Sequence, residues 1–339
     1  MGLACSKRAY ETSSSIPEAK YNFLPQIHTG ALLDSWCLGE DRIITCGSDG
    51  LVVEYNASSM SARRLGRHYS SVNRIAGARS SSHAVIYSCS RDLTVAQWSL
   101  ECEAQLDHPM NVFRGHELNV TAVAVSDDGE TVCSGSRDCS LRMWDANTAL
   151  ETGLVRIPRN VVTCACWLPG TRAFAQGSED LRLRVWDTRH LCKSAVQVFG
   201  EYTFFPLATN ASNNGNLLAT ASKGFNNQGG EVRVWDRRRP GKQALCEMFG
   251  HQQDVTGVIF LDEQQKVVSA SKDSNIKVWD LNTFKLDRNI QAADGDMYTS
   301  LSMAPAVNVN TMIAGTSFQG GLYCFDNSMG LLASVPSVS

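Results

Sequence analysis

The sequence predicts an all-β chain folded as a single seven-bladed β-propeller, on three observations. One motif recurs seven times, the copies are evenly spaced, and the flanking segments alternate apolar and polar residues. The copies read CGSDGLVVEYN (46–56), CSRDLTVAQWS (89–99), GSRDCSLRMWD (135–145), GSEDLRLRVWD (177–187), GEVRVWD (230–236), ASKDSNIKVWD (270–280) and SFQGGLYCFD (317–326). Their closing aromatics, Tyr55, Trp98, Trp144, Trp186, Trp235, Trp279 and Phe325, stand 43, 46, 42, 49, 44 and 46 residues apart, close to the length of one four-stranded blade.

Each copy is written as strands. Segments such as VTAVAVS (120–126), VVTCACW (161–167) and VTGVIF (255–260) alternate in period two, are rich in β-branched residues, and are cut by Gly, Asp and Asn turns. A lone blade leaves both faces wet, so the blades must stack around an axis. Residues 1–20 form a polar N-terminal tail and 21–339 the propeller. The YNFLPQI segment (21–27) is expected as the outer strand completing the blade of copy seven, with LLASVP (331–336) competing for that place.

Copies two, three and six share further polar residues: His68, Ser88, Asp92 and Trp98; His116, Ser134, Asp138 and Trp144; His251, Ser269, Asp273 and Trp279. In these features the chain resembles the WD-repeat family over residues 25 to 330 or so. The resemblance implies that each set is a structural hydrogen-bond network inside its blade, not a catalytic Ser, His and Asp arrangement. Copy one is nearly complete, with His28, Thr45, Asp49 and Tyr55. Copy four has Pro158 and Gln176 where His and Ser belong, so its network is expected to be absent. Copy seven, with Gly315, Gln319 and Phe325 in the motif positions, is expected to close the ring.

Composition narrows the function. With 43% hydrophobic residues the chain can bury a large core, and a formal net charge of -3 excludes a global basic field, so nucleic acid is not expected as a primary partner. No apolar run approaches the roughly 20 residues of a membrane span, and no secretory signal is evident. Twelve cysteines occur without a C-x-x-C pair, and Cys164 with Cys166 lack a second pair, so they read as small buried hydrophobes of a reducing, cytoplasmic compartment. No nucleotide-binding, zinc-protease or nucleophile-elbow motif is present. The expectation is a non-enzymatic, monomeric platform without metal or cofactor, which binds other proteins through its faces.

Four features are candidate sites. MGLACSK at the N-terminus fits an acceptor for myristate on Gly2 with Cys5 as a palmitate site, which would bring the platform to a membrane surface. One acyl chain gives only reversible binding, so a second signal is needed, and Lys7 and Arg8 add charge. The inserted turn KGFNNQGGE (223–231) is a candidate binding loop through Phe225, Asn226 and Asn227. The turns WDTR (186–189) and WDRRRP (235–240) are similar to the W-D-x-R turn of WD-repeat substrate receptors of cullin-RING ubiquitin ligases, with Arg189 and Arg238 as the matching arginines. Finally, PRNVVTCACW (158–167), GSEDLRLRVWDTR (177–189) and SKGFNNQGGEVRVWDRR (222–238) are similar to a group of WD-repeat proteins of cilia and flagella. That resemblance implies ciliary transport complexes and GTPase-activating proteins of Arf-like GTPases as partners. A soluble structural adaptor is the plainest alternative.

Overall fold

The computed structural model describes residues 22–79, 84–100, 108–191, 194–200, 202–225, 228–239, 243–292, 295–304 and 311–335. They form seven sheets, six of four antiparallel strands and one of five whose outermost strand is parallel to its neighbour. Blade 1 comprises Leu32–Cys37, Arg42–Gly47, Leu51–Asn56 and Ser61–Arg67. Blade 2 comprises Val72–Arg79, Ala84–Ser90, Thr94–Ser99 and Asn111–Arg114. Blade 3 runs from Val120–Val125 to the outer strand Glu151–Arg156, blade 4 from Val162–Trp167 to Gln197–Phe199, and blade 5 from Pro206–Ala211 to Cys246–Met248. Blade 6 runs from Val255–Leu261 to Leu286–Gln291 and blade 7 from Tyr298–Met303 to Leu331–Val335. Turns between second and third strands share the upper face with the connections between blades. The remaining turns lie on the lower face.

Seven apolar clusters each fill the gap between two neighbouring blades, which is why the sheets cannot stand alone. The closing cluster joins Leu32, Ile43 and Val53 of blade 1 to Ala314, Leu322 and Val335 of blade 7. The expected closure needs correcting. Leu331–Val335 is the fourth strand of blade 7, and Asn22–Phe23 pairs parallel to it as a fifth, outermost strand. The C-terminal segment wins because it is joined to its partner by a tight turn, in which Asp326 accepts from the Ser328 and Gly330 amides at 2.8 and 2.7 Å. A local hairpin costs less loop entropy than bringing in the other end of the chain.

The inner strand of every blade is bulged at its second residue, and the register skips Leu33, Asn73, Thr121, Thr163, Leu207, Thr256 and Thr299. A bulge re-aims its side chain. Asn73, Thr121, Thr163, Thr256 and Thr299 each donate to the carbonyl of the first inner-strand residue in the next blade, at 2.6 to 2.8 Å. Thr299 thereby bonds blade 7 to Leu32 of blade 1. Leu33 and Leu207 cannot donate. Their carbonyls are instead taken by one guanidinium, that of Arg74, at 3.3 and 3.2 Å, so blade 2 is tied to blades 1 and 5 across the axis.

Candidate functional site

The polar networks of blades 2, 3 and 6 share one geometry. In blade 3 the Trp144 indole donates to Ser134 at 2.8 Å, the Ser134 hydroxyl meets His116 Nε2 at 2.8 Å, and His116 Nδ1 meets Asp138 at 3.0 Å. Blade 2 repeats this with Trp98, Ser88, His68 and Asp92 at 2.7, 2.7 and 2.8 Å, and blade 6 with Trp279, Ser269, His251 and Asp273 at 2.8, 2.8 and 3.0 Å. Blade 1 keeps the His28 contacts with Thr45 and Asp49, both at 3.0 Å, and has no indole at Tyr55. Burial alone would raise the Asp92 and Asp273 carboxyls, but hydrogen bonds led by those from His68 and His251 outweigh it and bring both to about 2. Burial pushes His251 below its usual value. Each serine is buried and already bonded on two sides, so it holds a blade together and is not a nucleophile.

The network expected to be missing from blade 4 is present in another form. Asn160 stands in for the histidine: its side-chain oxygen accepts from Gln176 at 3.1 Å and from Arg184 at 3.0 Å. Gln176 accepts from the Trp186 indole at 3.3 Å, and Arg184 pairs with Asp180 at 2.5 Å. Blade 5 uses Tyr202, whose hydroxyl meets Thr220 at 2.9 Å while Trp235 donates to Thr220 at 3.1 Å, with Arg233 over the Tyr202 ring. In blade 7 the buried Asp296 accepts from the Gln319 amide and the Tyr323 hydroxyl at 3.2 and 3.3 Å. Asn160, Arg184, Tyr202 and Asp296 escaped the motif reading. A glutamine or threonine at a buried serine position, which must find partners, was the signal that pointed to them.

A cavity of about 510 Å³ runs through the ring, lined by inner strands. Within it Asp34 accepts from the Ile75 amide at 2.9 Å and from Ser300, with Arg74 at 3.9 Å. Burial raises the Asp34 carboxyl and Arg74 opposes that rise. Burial also pushes the Cys37 and Cys166 thiols up to about 12. Among the described residues no group of three or more His, Cys, Asp or Glu side chains could hold a metal ion, and no helix is long and apolar enough to cross a membrane.

The surface candidates separate. Phe225 is exposed on the upper face, bridged to Gln228 through backbone bonds of 2.8 and 2.9 Å, with its ring centroid 6.2 Å from that of Phe204. Asn226 and Asn227 lie outside the described residues, as do Gly2 and Cys5. Arg189 and Arg238 lie on the lower face, each folded back onto its own turn aspartate, Asp187 at 3.0 and 2.6 Å and Asp236 at 2.9 and 2.9 Å. Phe225 and the two arginines are thus on opposite faces of blades 4 and 5 and form no single site.

A family profile described as "WD domain, G-beta repeat" matches residues 107–145, 156–187 and 242–280, which carry the motifs of blades 3, 4 and 6. The chain is a seven-bladed β-propeller in which three blades match the WD repeat. It is 28% identical over 199 residues to "U3 small nucleolar RNA-associated protein 15 homolog" of Xenopus tropicalis, covering 57% of this chain and 35% of that protein. It is 28% identical over 217 residues to "Ribosome biogenesis protein WDR12 homolog" of Drosophila mojavensis, covering 58% and 49%. It is 24% identical over 329 residues to "Nuclear distribution protein nudF 1" of Talaromyces marneffei, covering 89% and 69%. The propeller thus spans about a third to a half of the first two relatives. Its polar groups are committed inside blades, and it presents its two loop faces as a scaffold for protein interactions.

Proposed function

We propose that this propeller is a membrane-tethered scaffold, anchored by acyl groups on Gly2 and Cys5, that supports ciliary or flagellar trafficking together with GTPase-activating proteins of Arf-like GTPases. The reading is carried by the irregular segments 158–167, 177–189 and 222–238, which resemble WD repeat-containing protein 31 and its relatives. They belong to the neighbouring blades 4 and 5, where the usual network is rebuilt from Asn160, Arg184 and Tyr202. Departures from a repeat that are shared say more than shared repeats. The alternative of a cullin-RING substrate receptor draws support from the matching closure of Arg189 and Arg238 on their aspartates. The names of two relatives suggest ribosome biogenesis as a further alternative.

The test is localisation and affinity capture of wild type beside Gly2→Ala in a ciliated cell. Ciliary enrichment, membrane partition lost in Gly2→Ala, and capture of Arf-like GTPase regulators are expected. Equal partition of the two proteins defeats the tether. Nucleolar accumulation, or capture of a cullin adaptor lost on changing Arg189 and Arg238 to Glu, replaces the ciliary reading with the corresponding alternative.

A further inference from the structure

Exposed arginines crowd the upper face of blades 1 to 4. Arg67, Arg114 and Arg156 end the outer strands of blades 1, 2 and 3 at the upper face. Arg91 and Arg137 occupy matching turn positions in blades 2 and 3, and Arg159 and Arg182 extend the crescent to blade 4. All seven are exposed. Arg156 pairs with Glu117 and Arg137 lies 3.9 Å from Glu179, but among the described residues no salt bridge engages Arg67, Arg91, Arg114, Arg159 or Arg182. The aspartates of these turns, Asp92, Asp138 and Asp180, are committed to His68, His116 and Arg184. The lower face mixes the signs: it exposes Glu40, Asp127, Asp128, Glu130 and Glu263 together with Arg172, Arg189, Arg238, Arg239 and Lys285, of which Arg189, Arg238 and Arg239 are paired with turn aspartates. A chain of net charge -3 therefore still carries an arginine-rich crescent on the upper face of blades 1 to 4.

Apolar side chains stand among these arginines. Tyr69 is 98% exposed, and Leu93, Leu118 and Leu181 are exposed as well. Leu93 and Leu181 hold φ of 72° and 63°, at the turn position where blades 1 and 7 place Gly50 and Gly320 and blades 3 and 6 place Cys139 and Ser274, at 63° and 65°.

We propose that this upper face docks the propeller flat onto an anionic lipid leaflet, with the arginines at headgroup phosphates and Tyr69, Leu93, Leu118 and Leu181 at the acyl boundary. Leucines at the tips are idle against nucleic acid phosphates, whereas a leaflet accepts both charge and apolar tips. The choice of a leaflet over an acidic protein rests on the proposed tether.

The test uses the full chain carrying Gly2→Ala, so that it stands or falls apart from acylation. Sedimentation with phosphatidylcholine vesicles containing about 30% phosphatidylserine is expected to capture it, with capture weakening as salt rises, and pure phosphatidylcholine is not. Changing Arg67, Arg114 and Arg159 to Glu should weaken capture at least about 100-fold, while Arg172→Glu with Lys285→Glu on the lower face leaves it unchanged. Leu93→Gly with Leu181→Gly relieves the backbone, so it should fold at least as well yet bind about 10-fold more weakly. Equal binding to both vesicles, equal loss from either face, or tighter capture of RNA or a polyglutamate peptide by the upper face overturns the proposal.

Discussion

Replacing Arg74 with Leu removes a side chain that crosses the axis. It strips the hydrogen bonds from the Leu33 and Leu207 carbonyls and leaves Asp34, a buried carboxylate, without its nearby cation. Hydrogen bonds from a charged donor contribute about 1.5 to 3 kcal/mol each, and orphaning one member of a buried pair costs about 3 to 5 kcal/mol. The two bonds are long, at 3.3 and 3.2 Å, and water can reach part of the cavity, so the net loss should be about 2 to 4 kcal/mol at neutral pH. The loss should also depend on pH. Burial raises Asp34 and Arg74 restrains that rise, so without Arg74 the folded-state pKa climbs further above the unfolded value. A folded state that takes up the proton more readily gains stability as pH falls. The gap between variant and wild type should therefore narrow on acidification, and Asp34→Asn should rescue part of the loss. Urea melts of wild type, both single variants and the double variant measure this. Unchanged stability of Arg74→Leu, or strictly additive losses in the double variant, would refute the cross-axis tie.

Other expectations follow from the same networks. Ser134→Ala leaves the Trp144 indole and His116 without their shared partner and should cost about 1 to 3 kcal/mol, as should His116→Ala or Asp138→Asn; thermal melts check each. Arg184→Ala should destabilise comparably, since Asp180 and Asn160 both lose it, and an unchanged melt would deny blade 4 its substitute network. Asp92 and Asp273, held near 2 against 3.8 unfolded, contribute stability above the unfolded value that is lost as pH falls through 2. His251, depressed by burial, adds a loss that begins as pH drops below its unfolded 6.5, so melting temperature should decline from neutrality and fall faster below about pH 4. Deleting residues 331–339 removes the fourth strand of blade 7 with buried Ala333 and Val335 and should abolish cooperative melting, whereas deleting 1–23 should shift it only slightly.

The blade count was legible because the motif repeats with near-constant spacing and each copy alternates as strands do. The tetrads of blades 2, 3 and 6 were legible for the same reason: identical residue types at identical offsets. Blade 4 was not, because Asn160 lies two residues beyond the expected histidine position at Pro158, and Arg184 sits on a strand where an arginine reads as surface. Arg74 was hidden likewise, a charge inside VNRIAGAR whose partners are backbone carbonyls from two other blades. Ring closure depended on which end forms the cheaper hairpin, and a short list of apolar letters at both ends could not decide it. The arginine crescent was masked by the chain's net charge of -3, which sums it with acidic residues elsewhere.

The central claim is that the buried polar residues serve the blades while the exposed loops meet partners. Melting and partner capture, measured together on Ser269→Ala and Phe225→Ala, test it most directly. Ser269→Ala should melt lower yet capture the same proteins, and Phe225→Ala should melt like wild type and lose some of them. The opposite pattern, an unshifted melt with lost partners for Ser269→Ala, would contradict the account.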